Sequence, residues 1–431
     1  MIVKEDRIDS LLQPFARFGV NLGLERIAKL LENLDNPQHE VSIVHVAGTN
    51  GKGSVCAYLS SILTEAGYRV GRYTSPHLVD WTERISLNGQ AISKSALCEI
   101  LQDIQAIASE AESPTQFEVI TAAAWLYFAR SQVDIAVMEV GLGGRLDATN
   151  VKDQSLVSVI TSLSREHWQR LGPTLADIAR EKAGVIKSNC PVVVGQLPTA
   201  AKEVVLAKAR ELAAPVTIVE SAKETKVSAS NRNRWARYQN IEYPLPLLGD
   251  VQLSNSAIAI ATIKTLQQQG WNIPELAIQT GINKTRWQGR LQWTTWNDHP
   301  LLIDGAHNTA AAIALRQYLD TLDKSTIWVM GMLSTKDHED IFKVLLKPND
   351  ELHLVPVPDH SSAEPKTLAA LARQICPNLS QCQTYRDIFT ALDTVMATSN
   401  DSDKTVVLCG SLYLIGHLFQ YNNIEHNNLV N

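Results

Sequence analysis

No apolar run in this chain approaches the roughly 18 residues that a membrane-crossing helix needs. The opening Met-Ile-Val-Lys-Glu-Asp-Arg puts charge where a secretion signal would need its apolar stretch. Both observations argue against export and membrane insertion. Cysteine is scarce: six residues, at 56, 98, 190, 376, 382 and 409, are scattered without a C-x-x-C pair and sit mostly among apolar neighbours. That usage predicts ordinary buried thiols in a reducing, cytoplasmic setting. Lys+Arg 39 against Asp+Glu 45 leaves a net charge of -6, and no basic block is present to track a phosphate backbone or an anionic membrane. Nucleic acid and lipid are therefore not the expected partners. Internal repeats and low-complexity tracts are also missing. What remains is 431 residues at 45% hydrophobic content, enough for about two or three domains, each with its own core.

Short β-branched runs alternate with helix-length segments: Ser42 to Ala47, Ser54 to Ala66, Arg69 to Tyr73, Phe117 to Ser131 and Ile135 to Val140. This is the pattern of a parallel α/β sheet. Leu156 to Thr161 and Ile135 to Val140 are almost continuously apolar, so helices should cover both faces. Pro191 to Gly195 and Val216 to Val219 extend the same sheet. From Ser221 to Pro246 the pattern weakens into a polar stretch with a few short strands, read as an excursion of the first domain, before a helix opens near Ser254. A second series starts near Leu301: strand Leu301 to Asp304, helix Thr309 to Leu322, strands Ile327 to Met330 and Leu352 to Pro356, helix Lys366 to Arg373, and strand Val406 to Cys409. The boundary is placed near Arg290, giving a domain over 1-288 and another over 289-431.

The most informative segment is Val44 to Ser54, in which a buried strand runs into Gly48, Gly51, Lys52, Gly53 and Ser54 before a helix. Glycines let successive backbone N–H groups turn toward one anion, the helix start adds partial positive charge, and Lys52 supplies a mobile cation for the β/γ-phosphates. The spacing departs from G-x-x-x-x-G-K-[ST], because Gly48 to Gly51 is one residue short and Gly53 separates Lys52 from Ser54. Glu139 closes an apolar strand and is followed by Gly141-Leu142-Gly143-Gly144-Arg145-Leu146-Asp147, which puts a carboxylate at the sheet edge where open α/β folds bind ligands. A carboxylate there suits Mg²⁺ held against ATP phosphates. His167, after the strand Leu156 to Thr161, should reach the same edge, and Ser75 in Tyr73 to Leu78 offers another oxygen. Alone, each has a plainer reading: a salt-bridged or capping Glu139, a solvated His167, a turn serine before Pro76. Asp177 to Gly184 reads as a short helix ended by Gly184, whose charges form a solvated face by default.

Six segments together resemble the folylpolyglutamate synthase / dihydrofolate synthase family, of the bacterial bifunctional type within the Mur ligase superfamily. Ala47 to Ser54 reads AGTNGKGS, Tyr73 to Leu78 YTSPHL, Thr82 to Ile85 TERI, Glu139 to Asn150 EVGLGGRLDATN, Arg180 to Lys187 REKAGVIK, and Leu302 to Asn308 LIDGAHN. The resemblance spans nearly the whole chain in order. It implies an α/β fold with a larger, mostly parallel-sheet P-loop ATPase domain, a smaller Rossmann-like C-terminal domain, and an active site in the cleft between them. It assigns Gly51, Lys52, Gly53 and Ser54 to the ATP phosphates, and Ser75, Glu139 and His167 to two magnesium ions. Lys182 matches a lysine that the family carries as a carbamate. Asn255, Arg290 and Asp304 match nucleotide-binding positions, His307 one near the γ-phosphate, and Phe117, Glu118 and Asp147 the pterin or folate pocket. The family commonly has Leu-Asp-His before the metal histidine, where this chain has Arg165-Glu166-His167.

The implied reaction is ATP-dependent ligation of L-glutamate to dihydropteroate, to folates, or to both. ATP would phosphorylate the substrate carboxylate and the glutamate amine would attack the acyl phosphate, with positioning and electrostatics supplying most of the catalysis. Small-molecule substrates and a monomer are expected. The nearest rival is a Mur-type peptidoglycan ligase, against which Gly53 and Ser75-Pro76-His77-Leu78 argue. A nucleotide-binding switch is the rival from another class. It leaves Glu139, His167 and Lys182 without a common task, and Asn283-Lys284-Thr285-Arg286 and Thr335-Lys336-Asp337-His338 both lack the final aspartate of a guanine-reading motif.

Overall fold

The β-branched runs pair into one sheet whose central strands are too apolar to leave either face in water, while the edge run Val216–Ile218 is exposed. A computed structural model describes residues 7–18, 21–108, 114–227, 234–398 and 403–422. The charged opening residues 1–6 lie outside the described residues, as do 228–233 of the polar excursion. Eight strands form the first sheet: β1 Ile43–Ala47, β2 Val70–Tyr73, β3 Ile85–Leu87, β4 Gln90–Ala91, β5 Ile135–Glu139, β6 Val157–Ile160, β7 Val192–Val194 and β8 Val216–Ile218. Their order is β4-β3-β2-β5-β1-β6-β7-β8, parallel except for the β3 and β4 edge. Every residue of β1, β5 and β6 is buried, as expected of central parallel strands covered on both sides. The register sets Val46 beside Glu139 and Ala47 beside Ile160, so three loops leave the sheet at one carboxyl edge.

Three helices carry this edge's chemistry. Lys52–Glu65 begins directly after Gly51. Gln116–Arg130 and Leu175–Ala183 each start in a capping box, Thr115 with Glu118 and Thr174 with Asp177, which satisfies their first N–H groups. Gly184 ends the second of these with φ -64, so packing rather than a left-handed turn calls for glycine there: a Cβ would lie 2.4 Å from Arg145 Cβ. The excursion after Ser221 is an antiparallel sheet, β9 Lys223–Val227, β10 Arg234–Tyr238 and β11 Ile241–Leu245. The next helix, Val251–Gln268, opens three residues before Ser254.

The second sheet holds β12 Gln292–Trp296, β13 His299–Asp304, β14 Ser325–Met330, β15 Glu351–Leu354, β16 Gln381–Thr384 and β17 Lys404–Cys409, in the order β12-β13-β17-β14-β15-β16. All neighbours are parallel except β12 and β13, whose hairpin turns through Asn297 and Asp298 at φ 47 and 64. Strands β12 and β16 and the helices His338–Leu345, Ile388–Thr398 and Leu412–Asn422 go beyond the elements read from sequence. The Gln-Cys-Gln-Thr of β16 has no apolar run because it is an edge strand with no buried residue. The chain divides into two compact units, one ending at Thr285 and one made chiefly of Arg286–Asn431 with Leu247–Val251. All six cysteines are free thiols, four of them buried, and no described helix is long and apolar enough to cross a membrane.

Candidate active site

Strand β1 delivers its last residue, Ala47, to a loop that tolerates no side chain at two points. A Cβ on Gly48 would lie 1.9 Å from Thr161 Oγ1, and one on Gly51, which sits at φ 85, would lie 2.4 Å from Asn255 Oδ1. The segment after β6 fixes the rest. Thr49 N–H donates to Ser162 O at 2.7 Å, and Asn50 N–H donates to Ser162 Oγ at 3.1 Å. The hydroxyls of Thr161 and Ser162 donate to Asn50 O at 2.7 and 2.9 Å. The loop is thus shaped before any ligand arrives, with Gly51 leaving the start of helix Lys52–Glu65 free of a side-chain cap. Lys52 Nζ donates to Thr49 O at 3.1 Å. Gly53 and Ser54 follow in the first turn, and Ser54 Oγ is 3.4 Å from Gln252 Nε2. Gln252 Oε1 accepts from Asn255 Nδ2 at 3.1 Å, so Asn255 is held against Gly51.

Lys182 departs from the solvated face expected of its helix: it is 5% exposed, and its Nζ donates to Gly48 O at 2.8 Å. The helix turns Asp177 and Arg180 outward and this one lysine inward, under the phosphate loop. Burial, and then the positive charge of Lys52, push its pKa down to about 7, against the opposing pull of Glu166 and Asp147. Its amine is therefore substantially neutral at physiological pH.

Glu139 is buried at the end of β5, and its Oε2 accepts the N–H of Ser75 at 3.2 Å, which joins two predicted metal ligands. Burial lowers the pKa of the neighbouring Arg72, and the negative charge of Glu139 works against that. His167 stands at φ 52 with its side chain 46% exposed and Nε2 3.9 Å from Glu166 Oε1. Among the described residues, no three His, Cys, Asp or Glu side chains gather as a closed metal site would. The oxygen donors present fit a magnesium ion, which keeps waters and takes substrate phosphates alongside one or two carboxylates.

Phe117 lies over the loop that follows Glu139, where a Cβ on Gly141 would be 2.4 Å from its Cζ. Glu118 accepts from Thr115 N and Oγ1 at 2.7 and 2.8 Å and lies 3.1 Å from Arg26 NH2, so it holds the start of its own helix. Asp147 is engaged in the same way. Its Oδ2 accepts from Leu142 N at 2.8 Å, and its Oδ1 accepts from Thr149 N and Oγ1 at 3.0 and 2.6 Å. Burial raises its pKa, and these donors oppose that.

In the second unit, Asp304 ends β13 and accepts from Leu291 N and Ala306 N, both at 2.8 Å. Burial raises its pKa, with the Arg290 charge the first opposing influence. Gly305 N donates to Gly289 O at 2.8 Å, and a Cβ on Gly305 would meet Arg290 NH1 at 2.3 Å. His307 Nδ1 is 2.7 Å from Gly305 O. Arg290, Asp304 and His307 therefore share one loop pair. Sequence reasoning did not single out Thr161, Ser162 or Gln252. The hydroxyl run Thr161-Ser162-Leu163-Ser164, directly after an apolar strand, was the available signal; Gln252 gave none.

A glycine-shaped phosphate loop on a parallel sheet, Lys52 at the head of its helix, the buried Lys182 beside it, and a strand-end carboxylate together define an ATP-dependent ligase of the Mur type. Residues 46–263 match the Mur ligase middle domain, and residues 289–421 match the C-terminal domain of dihydrofolate synthetase. A probable dihydrofolate synthetase of Schizosaccharomyces pombe is 33% identical over 421 residues, covering 94% of this chain and 99% of its own. The dihydrofolate synthase/folylpolyglutamate synthase of Escherichia coli is 34% identical over 409 residues, covering 93% and 91%. The crystal structure of the bifunctional folylpolyglutamate synthase/dihydrofolate synthase of Yersinia pestis, complexed with AMPPNP and a Mn ion, has a TM-score of 0.81 at 30% identity, covering 96% of this chain and 97% of that one. This chain belongs to the folylpolyglutamate synthase/dihydrofolate synthase family.

Proposed function

We propose that this chain joins L-glutamate to dihydropteroate, to folates, or to both, consuming ATP through an acyl phosphate. The observation that carries the reading is Lys182, buried beneath Gly48 with a pKa near 7. A neutral amine adds to CO₂, giving a carbamate and releasing one proton, whereas an ammonium does not. A carbamate at Lys182 would place anionic oxygens beside the phosphate loop. Ser75 and Glu139, with His167 to complete the set, would hold magnesium, two ions in all, which supplies positive charge against the phosphates.

Gly51, Lys52, Gly53 and Ser54 bind the ATP phosphates on this reading, and Asn255, Arg290 and Asp304 bind the nucleotide. Lys52 offsets charge on the transferring phosphoryl group, and His307 acts near the γ-phosphate. The acceptor lies against Phe117. Glu118 and Asp147 act through the segments they hold, since their carboxylates already receive local donors. We assign residues 1-288 to the ATP-binding domain and 289-431 to the C-terminal ligase domain, and place the protein in the cytoplasm as a monomer.

The test is ATP-dependent phosphate release with L-glutamate and Mg²⁺, run in parallel with dihydropteroate, tetrahydrofolate and a UDP-muramyl acceptor. Release with both pterins establishes two activities, and release with tetrahydrofolate alone narrows the enzyme to chain extension. Release only with the muramyl acceptor, or with none, overturns the proposal.

A further inference from the structure

His45 lies in the middle of β1, 1% exposed, and none of the chemistry above uses it. Its Nε2 is 2.8 Å from Thr149 Oγ1, and Thr149 Oγ1 donates to Asp147 Oδ1 at 2.6 Å. The direction of this chain follows from counting protons. Asp147 receives the Leu142 and Thr149 backbone N–H groups as well, a donor set that suits an ionised carboxylate and leaves no role for a proton on it. The single Thr149 hydroxyl hydrogen is therefore directed to Asp147. Thr149 Oγ1 can then only accept from His45, so His45 carries its proton on Nε2. The buried Nδ1 has no hydrogen-bond partner among the described residues, which is consistent with a bare lone pair there rather than an N–H needing an acceptor. Burial, reinforced by the charge of Lys187, lowers the His45 pKa to about 3, so the ring stays neutral across the working range.

Asp147 in turn is a structural tie. It holds Leu142 and Thr149, the two ends of the glycine-rich segment that follows Glu139 and passes under Phe117. A second set of contacts secures that segment to the Lys182 helix. Arg145 N donates to Glu181 O at 2.8 Å, and Asn150 Nδ2 donates to Gly184 O at 3.1 Å. The His45 chain is the only described side-chain hydrogen bond from β1 to this segment, and it lies three residues before the phosphate loop on that strand.

We propose that His45 is a positioning residue for the acceptor pocket: through the Thr149 hydroxyl it fixes Asp147, and so the loop 141–150 against which the pterin-bearing acceptor binds. The proposal rests on the acceptor assignment of Phe117 and Asp147 made above. It gives the first strand two roles at two positions, one toward the phosphates at Gly48 and one toward the acceptor at His45.

The test measures equilibrium binding of dihydropteroate and of a non-hydrolysable ATP analogue, each to wild type and to four variants. His45→Leu and Thr149→Val remove a donor, and should weaken pterin binding about tenfold while leaving nucleotide binding within about twofold. His45→Gln and Thr149→Ser, which keep an N–H and a hydroxyl, should recover most of the loss. The double variant should be no worse than the weaker single one, because both break the same chain. Equal loss of both ligands, additive losses, or no recovery with Gln and Ser would overturn the role. If His45→Leu does not fold, the Thr149 pair decides the matter alone. Wild-type protein that binds nucleotide but no pterin would overturn the acceptor assignment itself. Separately, ¹⁵N shifts of the His45 ring should report Nε2–H and no titration between pH 5 and 8; an Nδ1–H signature would reverse the chain and reject the mechanism.

Discussion

Each unit ends one strand of its sheet in a buried carboxylate, Glu139 on β5 and Asp304 on β13, yet the two are used differently. In the second unit, Asp304 gives both oxygens to backbone N–H groups of adjoining segments, at Leu291 and Ala306, with Arg290 nearby to offset the charge. That carboxylate organises the loop pair that carries the proposed nucleotide-binding residues of this unit. In the first unit, the edge carries two lysines at one loop, Lys52 and Lys182, and Glu139 beside Ser75. Burial, and then the charge of Lys52 beside the same glycine loop, lower the pKa of Lys182, while Glu166 and Asp147 pull the other way. The lesson is that a sheet edge that gathers lysines and a carboxylate around a glycine loop suits a charged ligand, whereas a carboxylate met by its own backbone fixes shape.

The largest effects should break the first edge without unfolding it. Lys52→Ala and Glu139→Ala should each reduce ligation by about three orders of magnitude. The far-UV circular dichroism and the unfolding midpoint should remain close to wild type. Near-normal turnover in either would remove the asymmetry between the two edges. Asp304→Ala should do the reverse: it leaves two backbone donors without their acceptor, and should cost roughly 2–3 kcal/mol of stability in denaturant unfolding. An Asp304→Ala variant as stable as wild type but weak in nucleotide binding would mean that the carboxylate acts on the nucleotide directly rather than through the loop pair it holds.

Lys182 sharpens the comparison through pH. Its folded pKa, about 7, lies below the ordinary lysine value of 10.5. The folded state therefore binds fewer protons than the unfolded state between these limits, and stability rises with pH across that window. The penalty is fully present below pH 7 and disappears as pH passes 10.5. Lys182→Met should accordingly be more stable than wild type by about 2 kcal/mol at pH 6 in CO₂-free buffer, with the advantage shrinking at pH 9. It should also be inactive. Lys182→Ala should regain part of its activity with acetate, and intact-protein mass should show 44 Da on wild type in bicarbonate if the carbamate forms, about the mass of CO₂ added. A Lys182→Met variant that is less stable at every pH would show that the contact to Gly48 outweighs the buried charge.

Much of this was legible in the sequence because parallel strands and glycine loops leave strong local marks. The runs Ile135 to Val140 and Leu156 to Thr161 are apolar on both faces, and Gly48, Gly51 and Lys52 follow such a strand directly. The inward turn of Lys182 was not legible. Its neighbours Arg180 and Glu181 are equally charged, and only the packing of loop 141–150 on that helix determines which one is covered. The resemblance pointed to Lys182 where periodicity did not. Strand β16 was missed for the opposite reason: an edge strand without a buried face has no pattern to show.

The smallest expected effect concerns the residue that shapes the loop without bearing charge. Ser162 Oγ accepts from Asn50 N–H and donates to Asn50 O, closing a two-way contact across the phosphate loop. Thr161 Oγ1 also donates to Asn50 O, so the carbonyl keeps a partner when Ser162 is truncated, whereas the bond from Asn50 N–H to Ser162 Oγ is lost. Ser162→Ala should therefore cost about 1 kcal/mol of stability, and should raise the KM for ATP several-fold at nearly unchanged kcat. Thr161→Val should cost less at Asn50, because Ser162 still donates to that oxygen. If Ser162→Ala instead lowered kcat and left KM alone, the hydroxyl would belong with the charged groups of the first edge, acting on the transition state rather than on the resting shape of the loop.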